Sequence, residues 1–94
     1  MRVQLVNIPP LLSDILSEAL AVEPDIALGG GDPDVVITRA SSDEAHALAR
    51  ELEAGLVAID PDSRHALVFA RGEAPVHLAD ISPTTIIAAI RSIS

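Results

Sequence analysis

Few side chains in this sequence could carry chemistry. Asp32, Asp34, Asp60, Asp62 and Asp80 could hold a metal or exchange protons, and His46, His65 and His77 could act as ligands or general bases. Magnesium needs several oxygens that converge, not acids that are merely close in sequence. Asp60-Pro61-Asp62 reads as a turn, where aspartates bond the local backbone. Asp32 and Asp34 precede an apolar strand, and ligands of open α/β sheets gather at the other, carboxyl end of such strands. The histidines fall on separate segments with no ligand spacing, so each reads as a surface or half-buried side chain. Ser41, Ser42 and Ser82 are explained by helix capping, and no base is placed to activate them. Gly29-Gly30-Gly31 is followed by Pro33 and a strand, not by the helix that a phosphate-binding loop requires. It reads as a turn. No metal, cofactor or catalytic residue is therefore expected.

Arg39 remains. It closes Asp32-Pro33-Asp34-Val35-Val36-Ile37-Thr38-Arg39, a turn followed by an apolar strand of the kind buried on both faces. It therefore stands at the end where α/β sheets place their sites. The favoured expectation is an ion pair with Asp60 or another acid. The rival is an anion-binding site near Asn7, Arg39 and Asp60.

Composition narrows the partners. The 94 residues suit one domain, 1–94, with one modest core. Hydrophobic residues make up 49%, yet Phe69 is the only aromatic, so the core must be aliphatic. Fourteen acids face six arginines and no lysine, a net charge of −8. Such a chain repels phosphate backbones and anionic membranes, so neither nucleic acid nor membrane is an expected partner. The lack of cysteine and of any leader or spanning segment leads us to expect a soluble, cytoplasmic protein.

The elements that must position these residues follow from periodicity. Residues 2–7 read as a strand. After Pro9-Pro10, Leu11, Leu12, Ile15, Leu16, Ala19 and Leu20 recur at helical spacing, and the helix should stop near Val22, before Pro24. Ile26-Ala27-Leu28 is a candidate edge strand, and 34–38 the next strand, parallel to the first. Ser41 and Glu44 have capping-box spacing and open a helix with Ala45, Leu48, Ala49 and Leu52 inward and Gly55 as its stop. Residues 56–60 and 65–70 should form an antiparallel hairpin around the turn 61–64, followed by a turn at 71–75 and a short strand at 76–78. Ser82-Pro83 starts a final helix to the chain end. The fold class is α/β: three layers, a mostly parallel sheet with an antiparallel hairpin, and three helices.

Three stretches resemble the receiver domains of bacterial response regulators. Residues 2–25 resemble the family's first strand and helix. Pro33-Asp34-Val35-Val36-Ile37-Thr38 resembles the strand leading to its phosphoacceptor, and residues 78–93 its last strand and helix. The resemblance implies a flavodoxin/receiver-like fold, shortened by about two helices, and it implies where the family's site should fall. The magnesium-holding acidic pair falls on Asn7 and Ile8, and the phosphoacceptor on Arg39. The switch hydroxyl falls near Asp60 and the lysine on Ala79. Every one of these functions is lost, and an arginine can neither accept phosphate nor hold magnesium.

The reading is a degenerate pseudo-receiver: a non-catalytic protein-interaction or regulatory module of a bacterial signalling assembly that cannot be phosphorylated. A homodimer is expected, with Ile86, Ile87, Ile90 and Ile93 of the apolar last helix as interface residues. The rival is a small anion- or ligand-binding domain, or a minor enzyme, using the strand ends near Arg39.

Overall fold

The first strand, β1 (Arg2–Val6), is followed by α1 (Pro10–Ala21), β2 (Ala27–Leu28), β3 (Val35–Arg39), α2 (Ser42–Glu51), β4 (Gly55–Ile59), β5 (Ala66–Phe69), β6 (Val76–Leu78) and α3 (Pro83–Ile93). The structure is a computed structural model describing residues 1–29, 31–52, 54–62, 64–70 and 75–93. The expected turn at 71–75 therefore lies, except for Pro75, outside the described residues, as do Gly30 of the glycine run and Ser63 of the 61–64 turn.

The strands form one sheet in the order β2-β1-β3-β4-β5-β6. β2, β1, β3 and β4 are parallel; β5 alone runs the other way, so β6, antiparallel to β5, points with the parallel set. β5 does not lie at a sheet edge. It is interior, because the short β6 pairs with it and takes the edge. The short loops on either side of β5 allow hairpins but no parallel crossover, so the reversal follows from loop length.

Period-two alternation divides the strands between two apolar clusters. On one face Val3, Val35, Ile37, Val57, Ile59, Ala66 and Val68 pack against Leu16 and Leu20 of α1 and Ile86, Ala89 and Ile90 of α3. On the other face Val36, Leu56, Ala58 and Phe69 pack against Ala45, Leu48 and Ala49 of α2 and Leu52 just after it. The expected three-layer α/β arrangement is present: a six-stranded mixed sheet between two helices and one. No helix among the described residues is long and apolar enough to cross a membrane.

Local chemistry fixes the helix starts. Pro10 sits in the first turn of α1, where its missing N–H has no partner to lose. The Ser41 hydroxyl donates to Glu44 Oε1 at 2.9 Å and accepts from the Glu44 N–H, closing the cap of α2. Before α3, the Asp80 carboxylate accepts from the Ser82 N–H (3.0 Å), the Ser82 hydroxyl (3.1 Å) and the Thr85 hydroxyl (3.2 Å). The Ser82 N–H, then its hydroxyl, hold the Asp80 carboxyl below its usual range. A carboxylate depressed in the folded state stabilises the fold above its unfolded pKa. That contribution disappears as pH falls through the lowered value. Asp80→Asn should accordingly flatten part of the acid limb of stability in a pH titration of thermal unfolding. An unchanged limb would count against this network.

Gly55 does not stop α2, which ends at Glu51 with Leu52 as an extended C-cap; Gly55 is the buried first residue of β4. A Cβ on Gly55 would run into Ile93 Cγ2, so its smallness lets α3 approach the sheet. On α1, Leu16 and Leu20 are buried with Leu12 packed beside them, but Leu11 and Ile15 face outward, 75% and 43% exposed. The apolar band of α1 is wider than the sheet can cover.

Candidate functional site

Asn7, Ile8, Arg39 and Asp60, four of the five positions that the resemblance singled out, lie at the carboxyl end of the parallel strands. The register Val6↔Thr38 sets Asn7 beside Arg39, and Arg39↔Ile59 sets Asp60 on the next strand. Ile8 follows Asn7 and is partly buried against the α1/α3 cluster. Ala79 does not join them. It follows β6, and β5 separates it from β4.

Asn7 adopts φ +57°, the left-handed region, which asparagine tolerates better than most residues. Asn7→Gly should raise stability by up to about 1 kcal/mol, and Asn7→Val should lower it by about 1–2 kcal/mol. Chemical denaturation of the two variants tests this. A valine variant as stable as the parent would show that the left-handed turn is not needed.

The Arg39–Asp60 ion pair is not formed. Arg39 Nη2 donates to the Pro61 carbonyl at 2.9 Å, and among the described residues no carboxylate lies within ion-pair distance of it. Asp60 is turned back into its own loop, where Oδ1 accepts from the Asp62 N–H at 3.1 Å. Asp62 in turn accepts from the Arg64 N–H at 2.8 Å and lies 3.1 Å from His65 Nδ1. The Arg64 N–H, helped by His65, holds the Asp62 carboxyl below its usual range. These acids serve the turn, as their spacing suggested.

His65 and His77 meet across β5 and β6, with ring centroids 5.5 Å apart. That contact was not anticipated, because it depends on β6 pairing beside β5. His46 lies edge-on to Phe69, its Nδ1 2.8 Å from the Ser42 carbonyl oxygen. Among the described residues, no three His, Asp or Glu side chains are grouped to hold a metal ion.

The expected interface isoleucines are also placed differently. Ile86 and Ile90 are 0% exposed and belong to the core, so neither can supply an exposed patch. Ile87 and Ile93 are partly buried against the same cluster. The helix settles deep because Gly55 leaves room for it. Beside α3 a groove of about 440 Å³ stays open between it and β5–β6, and its described lining residues, among them Val68, Val76, Leu78, Ala88 and Ile93, carry no charge. Val76 on the β6 edge is 59% exposed.

The sequence reading missed the outer face of α1. Leu11, Ile15 and Val22 are among the large apolar side chains left most exposed. Helical angles held the signal: Leu11 and Ile15 lie roughly 100–180° around the helix from Leu16 and Leu20, too far for one buried stripe.

Arg91 ties α3 to the α1–β2 connection, bonding Glu23 and also Asp25 at 3.2 Å. The Arg91 guanidinium holds the Asp25 carboxyl below its usual range.

No family model matches the chain, and no curated protein or solved structure shows significant similarity to it.

Proposed function

We propose that the chain is a non-catalytic, receiver-like interaction module of a bacterial signalling assembly, acting by surface docking without a phosphorylation switch. One observation carries this reading: large apolar side chains stand on the outside of the fold, along α1 and at the β6 edge beside a groove whose described lining is uncharged. The strand order β2-β1-β3-β4-β5 follows the doubly wound order, although β5 is reversed. At the strand ends, Asn7 and Arg39 stand where the resemblance puts magnesium and phosphoryl chemistry. Self-association belongs to the α3–β6 face. The described residues that line its groove carry no charge, so they bring no opposing carboxylates into a contact between two copies of a strongly acidic chain.

Two measurements test the proposal. Incubation with acetyl phosphate and magnesium should leave no acid-labile phosphate on the parent chain or on Arg39→Asp, which still lacks the acidic pair. Phosphate on any aspartate would overturn the proposal. Sedimentation equilibrium should show a concentration-dependent dimer that Val76→Glu weakens. A monomer at every concentration would remove self-association from it.

A second reading has its own observation. Arg39 has no carboxylate partner among the described residues and is held by a backbone carbonyl, which leaves its charge available to an anion at the strand ends. Phosphate or sulfate should then raise the melting temperature of the parent but not of Arg39→Ala. An equal rise in both would exclude this reading.

A further inference from the structure

α1 has two working faces, and the core uses only one. Leu12, Leu16 and Leu20 face the sheet. On the opposite side, Leu11 (75% exposed), Ile15 (43%) and Val22 (77%) form a line. At 100° per residue these three positions fall within about 40° of arc, a single ridge rather than scattered side chains. Asp14 and Glu18, four residues apart and both exposed, make a second ridge alongside. The helix contains no lysine or arginine.

We propose that this face is the docking site for an amphipathic helix of a partner protein, one that offers an apolar ridge to Leu11, Ile15 and Val22 and basic side chains to Asp14 and Glu18. The inference rests on the interaction-module reading and names the surface and the chemistry of its partner. Charge decides between occupants. A second copy of the chain would bring two Asp14–Glu18 ridges together with no cation on either α1, in a chain whose net charge is already −8. An anionic membrane is repelled for the same reason. A basic helix compensates both acids while its apolar ridge covers the three side chains, the familiar helix-on-helix mode of recognition. The ridge runs for about three turns, so the partner segment must be helical over a similar length.

The test uses the full chain, isotope-labelled, and a synthetic leucine/lysine amphipathic helix about four turns long as the probe. A companion probe carries glutamate in place of lysine. The lysine probe should shift amide resonances concentrated between residues 11 and 22, and added salt should weaken it. Leu11→Ser/Val22→Ser and Asp14→Asn/Glu18→Gln should each weaken it by about tenfold or more. These side chains are exposed, so both variants should keep the parent's melting temperature. The glutamate probe should not bind. Shifts scattered over the acidic surface, or binding that survives Leu11→Ser/Val22→Ser, would overturn the proposal. So would a dimer that those substitutions dissociate, which would make a second copy the occupant. The α3–β6 dimer provides an independent readout: if it persists while the α1 probe fails, only the α1 inference falls, and if both fail the interaction-module reading falls with it.

Discussion

Gly55→Ala should destabilise the fold by about 1–3 kcal/mol, the usual cost of overpacking a full core. Gly55 is buried at the start of β4, paired with Val35, and its N–H donates to the Asp34 carbonyl at 2.9 Å. The strand cannot retreat without breaking that ladder. The added methyl would meet Ile93 Cγ2, close to the stem of the side chain, so α3 itself must move. Ile93→Ala alone should also destabilise, but combined with Gly55→Ala it should give back part of the loss, because it removes the group the methyl strikes. Urea unfolding of the four proteins in this cycle measures the coupling. Strict additivity would mean that the contact does not govern how α3 sits.

The second large effect is expected at Ile90. It is fully buried between α3 and the sheet, so Ile90→Ala should cost about 2–5 kcal/mol through lost burial and a residual cavity. Ile87→Ala, at a half-buried position, should cost clearly less. The loss at Ile90 should not depend on protein concentration, because the side chain meets its own core and not a second copy. A concentration-dependent loss would place Ile90 at an interface after all.

Much of the fold was legible because its signals are local. The Val35–Thr38 run announced a strand buried on both faces, Ser41 and Ser82 announced helix starts, and the short loops around β5 announced its reversal. Non-local facts were not legible. The role of Gly55 depends on Ile93, far away in sequence, so a glycine after a helical pattern reads as a stop. Ile86 and Ile90 looked surplus on α3 because nothing in sequence shows how closely that helix approaches the sheet. At the strand ends, the register placed Asn7, Arg39 and Asp60 together as expected. The partner of Arg39 is a loop carbonyl, however, and any residue can offer a carbonyl, so no pattern of side chains reveals it. The α1 ridge was legible in principle: reading apolar residues by angle rather than by count separates Leu11 and Ile15 from the buried set.

Phe69 has a practical consequence. It is the sole aromatic side chain, and it is buried on the α2 face of the sheet with the His46 ring edge-on to it. Near-ultraviolet circular dichroism of this protein therefore reports one residue in one of the two apolar layers, whereas far-ultraviolet signal sums helices from both. One signal follows a single layer and the other the whole molecule, without any engineered label. Coincident melting curves would show that the sheet transmits unfolding from one face to the other as a single event. A Phe69 signal lost first would identify the α2 layer, held by one helix, as the part of the molecule that opens first.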